Sequence, residues 1–215
     1  MKVDILAFGA HPDDVELGCG GTIAKAISKG KKIGIIDLTR GELGARGNAE
    51  IREKEAKDAA KILGVKFRKN LNFSDGFIQN DRESQEKVIE VLRLYRPEIV
   101  LCNAIKDRHV DHSRASDLIS NSCFLSGLEK LKKVKGGNFL NHSWRPKHVF
   151  HYIQWEDLTP DFVLDISGFL EIKMKAVKAF KSQVYDKESN ETETPTSSIN
   201  FINSIESRAK NLGRL

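Results

Sequence analysis

Val3-Asp4-Ile5-Leu6-Ala7-Phe8-Gly9-Ala10, followed at once by His11-Pro12-Asp13-Asp14-Val15-Glu16, opens the chain with an apolar run that stops at an imidazole and two carboxylates. A run so short and so apolar reads as a strand covered on both faces. The pattern returns at 32–39 and 98–103, again bounded by charge or glycine. Between these runs the period changes. In 49–63 the residues Ile51, Ala56, Ala59, Ala60 and Leu63 fall on one helical stripe, with Asn48 as N-cap and Gly64 as stop. In 83–95, Val88, Leu92 and Tyr95 recur at helical spacing before Pro97. Strand then helix, repeated, predicts an α/β, Rossmann-like three-layer fold, with a mostly parallel sheet and helices on both faces.

Two more short strands are expected at 148–154 and 162–166, then a helix over 170–183 and a last amphipathic helix carrying Ile199, Ile202, Ile205 and Ala209. Residues 186–198 hold no large apolar side chain, so a mobile polar surface loop is expected there. The glycines of Gly18-Cys19-Gly20-Gly21 do not match a dinucleotide fingerprint and read as close packing at the start of a helix.

With 215 residues the chain is long enough for one sizeable core, and a single domain over 1–215 is expected. No apolar stretch reaches the ~18 residues of a spanning helix. The first residues lack the apolar core and cleavage site of a signal peptide, and a cytoplasmic protein is expected. Cys19, Cys102 and Cys123 lack zinc-knuckle or redox spacing and read as buried reduced thiols. The net charge of +5 is mild, and the lysines at 130, 132, 133 and 135 read as a solvated loop or helix end. Without Arg-rich or aromatic stripes, neither nucleic acid nor membrane is an expected partner.

The chemistry sits at strand ends. His11, Asp13 and Asp14 follow the first strand; Arg108-His109-Val110-Asp111-His112 follows the strand ending near Asn103. Ligands of open α/β sheets gather at such ends. Two histidines and one aspartate leave open positions on a metal, as a catalytic zinc site requires. His109 and His112 are both available as ligands if the segment is locally helical. Asp13 is badly placed to share an ion with its neighbour Asp14 and is better used as a base. The bland alternative makes Asp13 and Asp14 a helix cap and its acidic first turn. Iron(II) oxygenases also use two histidines and a carboxylate, but as His-x-Asp on a β-barrel, where this chain has His-x-x-Asp on an α/β pattern. A non-catalytic metal- or sugar-binding module would need neither Asp13 nor His109.

Ala10-His11-Pro12-Asp13-Asp14-Val15-Glu16 together with His109-Val110-Asp111-His112 resembles the PIG-L/LmbE family of zinc-dependent N-deacetylases, which act on N-acetylglucosaminyl compounds. The resemblance implies that His11, Asp14 and His112 bind zinc, or iron(II) in the cell. It makes Asp13 the general base and His109 the stabiliser of the oxyanion, protonated and oriented by Asp111. Leu38-Thr39-Arg40-Gly41-Glu42-Leu43-Gly44-Ala45-Arg46-Gly47, with Ile51-Arg52-Glu53-Lys54-Glu55, is similar to the subfamily of bacillithiol biosynthesis, which deacetylates N-acetylglucosaminyl-malate. That similarity implies substrate contact by Arg52 and, more loosely, Arg145, and places Lys181-Ser182-Gln183 near the site. Arg40, Arg46 and Arg52 would offer forked donors to the malate carboxylates; the plainer reading has some of them brace the loop or pair with Glu42 and Glu50. The family also implies a homo-oligomer, trimer or hexamer. Val110 stands where the family carries proline, and the chain ends at Gly213-Arg214-Leu215 where relatives continue.

Overall fold

A computed structural model describes residues 1–133, 139, 141–188 and 190–214. Lys135 of the lysine cluster, Ser189 of the polar stretch and the terminal Leu215 lie outside the described residues. The elements run β1 (Ile5–Gly9), α1 (Asp14–Ser28), β2 (Ile33–Thr39), α2 (Ala49–Leu63), β3 (Phe67–Phe73), α3 (Arg82–Tyr95), β4 (Ile99–Asn103), α4 (Val110–Leu125), β5 (His148–Tyr152), α5 (Leu170–Lys178) and α6 (Ile199–Gly213). A 3₁₀ turn, Pro195–Ser197, precedes α6. The five strands lie in the order β3-β2-β1-β4-β5, and every pairing is parallel.

Side chains alternating along a strand point to opposite faces, and both faces here are covered. Leu6 and Phe8 of β1 join Leu92 of α3 and Leu118 of α4, while Ile5 and Ala7 join Ile23 of α1, Ala59 of α2 and Phe180 beyond α5. This two-sided burial is the three-layer α/β architecture expected from the apolar runs. Asn48 caps α2, its side chain accepting from Ile51 N at 2.8 Å, and Gly64 closes it in the left-handed conformation.

Several elements differ from expectation. β3 is an additional edge strand; its sequence, Phe-Arg-Lys-Asn-Leu-Asn-Phe, is too polar to stand out because only one edge pairs. Residues 162–166 form no strand. Their apolar side chains border a cavity instead, and Phe162 packs edge-on against Phe150 at 5.2 Å. α5 ends at Lys178, five residues before the expected stop. The glycines of 18–21 lie inside α1, which begins at Asp14 and kinks at Cys19. Close packing is their role: a Cβ on Gly18 would lie 2.1 Å from the Tyr152 ring. Cys19, Cys102 and Cys123 are free and buried. Among the described residues no helix is long and apolar enough to cross a membrane.

Candidate active site between strands 1 and 4

β1 connects to β2 on one side, while β4 flanks it on the other, so the chain reverses direction across the sheet between β1 and β4. Such a switch point leaves a crevice at the carboxyl ends of the strands. His11, Asp13 and Asp14 leave β1 there; Asp107, His109 and His112 leave β4 beside them. Asn103 joins the two ends, accepting from Ala10 N at 2.9 Å through Oδ1 and donating to Asp14 Oδ2 at 3.0 Å through Nδ2.

His109 caps α4, its Nδ1 accepting from Asp111 N at 3.2 Å, and His112 falls one turn later on the same face. The two rings lie 5.3 Å apart, and the His11 ring is 4.5 Å from His109 and 5.5 Å from His112. One nitrogen from each of the three imidazoles lies within 4.8 Å of the others. Asp14 reaches into the group with both oxygens, Oδ2 at 3.5 Å from His11 Nδ1 and Oδ1 at 3.3 Å from His112 Nε2. Gln154 donates to Asp14 Oδ1 at 2.6 Å. His11 also gathers with Asp75 and Asp111 in a second group of donors, again within 4.8 Å.

These residues fit a divalent cation. His11 Nε2 is buried without a hydrogen-bond partner, although Asp75 Oδ1 is 3.0 Å and Asp111 Oδ2 3.5 Å away, both out of alignment. Burial works against charge on His11, yet Asp111, Asp14 and Asp75 together push its pKa well above the usual histidine value. Burial likewise opposes His112, and Asp14 and Asp107 raise it to about 9. Carboxylates that pull protons onto two buried imidazoles would be satisfied equally by a metal ion displacing those protons. Asp107 Oδ2, 2.7 Å from His112 Nδ1, fixes that ring in the manner typical of metal-binding histidines.

Asp13 stands apart from this group. Its backbone is left-handed, with φ of 116°, a conformation strained for a residue with a side chain. The twist separates its carboxylate from that of Asp14. Arg52 Nη2 donates to Asp13 Oδ2 at 3.0 Å and also to Pro12 O at 3.1 Å. Burial raises the Asp13 pKa to about 6, with Arg52 opposing the rise. For His109, burial and the neighbouring imidazoles hold the pKa below the usual value. The Asp111 N–H aimed at Nδ1 leaves Nε2 as the ring nitrogen that can carry a proton toward the cavity. Asp111 does not bond to His109 through its carboxylate. It accepts from Gly76 N at 2.6 Å and faces His11.

A cavity of about 1740 Å³ opens over these groups, and Arg46, Arg52, Asp75, Gln154, Lys173 and Gln183 are among its walls. The expected arginines divide. Arg52 lies at the base residue, its Nη1 donating to Gly41 O at 3.2 Å; a Cβ on Gly41 would strike that guanidinium at 2.0 Å. Arg46 borders the cavity but is paired with Glu191 at 3.4 Å. Arg40 faces away from it and pairs with Glu50 at 2.9 Å. Arg145 is not brought to the site: it lies over Phe124, donating to Phe124 O at 3.0 Å. At ~1.5 Å per helical residue, Phe124 is about 20 Å along α4 from His109. Of the 181–183 element, Gln183 reaches the cavity and donates to Arg46 O at 3.0 Å.

Asp75, Asn103, Asp107 and Gln154 were not singled out from sequence. For Asp107 a signal existed, since it precedes His109 by two residues on the same strand-end loop. Asp75 and Gln154 carry none, because only the fold brings them to Asp14 and His11.

A crevice of this kind, with imidazole and carboxylate donors beside a separate buried carboxylate, defines a metal-dependent hydrolase. The comparisons agree. Residues 6–123 match the family model PIG-L, described as GlcNAc-PI de-N-acetylase. A diacetylchitobiose deacetylase of Thermococcus kodakarensis is 31% identical over 189 residues, covering 83% of this chain and 69% of that protein. The crystal structure of the conserved protein TT1542 from Thermus thermophilus superposes with a TM-score of 0.87 at 36% identity, covering 99% of this chain and 89% of that one. A 4-oxalmesaconate hydratase of Pseudomonas putida is 26% identical over 196 residues, covering 83% of this chain and 73% of that protein. The chain belongs to the PIG-L family of de-N-acetylases.

Proposed function

We propose that this enzyme hydrolyses the N-acetyl group of an N-acetylglucosaminyl conjugate, with N-acetylglucosaminyl-malate as its substrate and zinc as its metal. The observation that carries the reading is the placement of Asp13: a buried carboxylate, held apart from Asp14 by its own backbone, on the cavity that the three imidazoles border. A binder of metal or sugar has no use for it. Similarity over 38–47 and 51–55 supports the malate conjugate, and the Thermococcus relative supports an N-acetylated sugar.

His11, Asp14 and His112 would hold the metal, which when bound acidifies a water and polarises a carbonyl. Asp13 takes the proton of the attacking water as its oxygen closes on the acetyl carbonyl carbon. His109 donates from Nε2 to the developing oxyanion, a contribution of roughly 3 kcal/mol for one such donor. Asp13 then passes its proton to the leaving nitrogen as the C–N bond breaks, giving acetate and a free amine. A pKa near neutrality suits a group that must accept and return one proton. Arg52 holds the Asp13 carboxylate in place and screens it from Asp14.

The test is release of primary amine from N-acetylglucosaminyl-malate, N-acetylglucosamine and diacetylchitobiose, before and after chelation and return of zinc. Zinc-restored cleavage with preference for the malate conjugate is expected. Asp13→Asn should lose about 10²–10⁴-fold in turnover while metal content by elemental analysis stays unchanged. Absence of amine from all three substrates, or water addition to a carbon–carbon double bond of the hydratase type, would overturn the reading.

A further inference from the structure

Among the buried arginines and lysines on the cavity wall, Arg46 and Arg52 each face a carboxylate, Glu191 and Asp13. The third, Lys173 of α5, is only 8% exposed, and no hydrogen bond or ion pair joins it to any other described residue. Its stem lies along α1, with Cγ in contact distance of a Cβ placed on Gly20. The groups near enough to act on its charge are the Cys19 thiol and Arg208 of α6. Burial pushes the Cys19 thiol far above its usual range, so it stays neutral and offers no counter-charge. Arg208 is a second cation, held by the carbonyls of Gln154 and Trp155 and by Asp157, whose carboxylate is 94% exposed and turned to solvent. Cys19, Leu170, Ile205 and Arg208 border the same cavity. The region therefore has apolar walls, a positive field and one amine, on a largely buried side chain, that meets no protein acceptor among the described residues.

An ammonium that meets no protein acceptor is costly to hold among apolar walls, and methionine fills the same length without that cost. Burial lowers the Lys173 pKa to about 8, so the amine still carries its proton at neutral pH. What it lacks is an anion. The proposed metal ligand Asp14 begins α1, and Cys19 follows five residues along the same helix. The amine thus borders the same cavity as His11, Asp14 and His112, beside the stretch of α1 that follows Asp14. By contrast, the arginines that sequence alone proposes for carboxylate recognition are already paired within the chain.

We propose that Lys173 forms an anion subsite between α1, α5 and α6, taking the carboxylate or phosphate group carried by the non-sugar part of the substrate. The placement of that group rests on the deacetylase reading; the existence of the subsite does not. Calorimetric titration of the zinc-loaded full chain with malate, with glycerol phosphate and with glycerol tests it without turnover, and the first two distinguish carboxylate from phosphate. Lys173→Met should weaken binding of the preferred anion by about tenfold to a hundredfold, the loss of a charge-assisted hydrogen bond, and Lys173→Arg should retain most of it. Anion binding at the metal would survive Lys173→Met. In isotope-labelled wild-type protein, the Lys173 amine resonance should also move to a higher pKa on addition of that anion. Equal binding by wild type and a folded Lys173→Met variant, or an unmoved Lys173 resonance, overturns the subsite. Lys173-dependent binding without amine release from any N-acetyl sugar upholds the subsite and rejects the deacetylase. Amine release without Lys173-dependent binding does the reverse.

Discussion

Replacing Arg68 with methionine tests whether the catalytic helix is held by a buried charge triad. Arg68 rises from β3 and donates from Nε and Nη2 to Asp37 of β2 at 2.7 and 2.8 Å, and from Nη1 to Glu16 of α1 at 2.6 Å. All three side chains are at most 5% exposed. Glu16 follows the proposed metal ligand Asp14 by two residues, so the triad ties the first turn of α1 to the sheet. Methionine keeps the aliphatic stem and strands two buried carboxylates. Breaking a buried pair in this way costs about 3–5 kcal/mol, a large part of the ~5–15 kcal/mol that holds a domain folded. For a chain of this size that corresponds to a fall of about 6–20 °C in Tm. The loss must also depend on pH. Burial raises the Glu16 pKa above its ordinary value, and Arg68 works against the rise. A carboxyl raised on folding contributes fully below its unfolded pKa of ~4.3 and loses that contribution as pH climbs through the folded value. Without Arg68 the rise is larger, so the variant should trail wild type most at pH 7 and least near pH 4.5. Urea unfolding followed by tryptophan fluorescence at both pH values measures this. A loss under about 1 kcal/mol at pH 7, the level of a surface pair, or an equal loss at both, would refute the reasoning. Adding Glu16→Gln and Asp37→Asn to the methionine variant should recover most of the stability at pH 7.

Arg52→Ala removes the charge that restrains the Asp13 pKa, so the acid limb of the pH–rate profile should move to higher pH; a limb that stays in place while kcat falls would confine Arg52 to substrate binding. Asp107→Asn leaves the loop contacts of similar size but weakens the carboxylate that fixes His112, and metal affinity by competitive chelation should fall about 10–100-fold, with unchanged affinity speaking against His112 as a ligand.

The legible part of the fold is the part buried on both faces. β1, β2 and β4 are apolar runs because helices cover them above and below, and α2 announces both ends because Asn48 and Gly64 each perform a backbone task that few residues perform. Illegible elements answer to other demands. β3 pairs along one edge and spends Arg68 on the triad, so its side chains do not alternate cleanly. α4 begins in the site with His109 and His112 and continues through Ser113, Ser116, Ser120 and Ser122, which are weak helix formers. Residues 162–166 carry strand-like composition, but their apolar groups finish a cavity wall beyond an edge already taken by β5.

The site divides along the same line. His11, Asp13, Asp14, His109 and His112 sit in two compact clusters at strand ends, so the rule that places ligands at those ends brings them together without knowledge of the loops. The arginines could not be sorted that way. Charge type says that Arg40, Arg46 and Arg52 can each grip a carboxylate, but not which carboxylate reaches them first. Glu50 takes Arg40 from the first turn of α2, Glu191 takes Arg46 across 145 positions of chain, and Asp13 takes Arg52 across 39. Lys173 shows the converse, since nothing in Glu171-Ile172-Lys173-Met174 distinguishes it from an exposed helical lysine. Only the closure of α5 onto α1 at Gly20, beside a second cation and a neutral thiol, brings its side chain to the cavity wall with no protein acceptor at the amine. Sequence lists the groups capable of binding an anion, whereas the folded chain decides which of them remain available, because every internal pairing removes a cation from the substrate's reach.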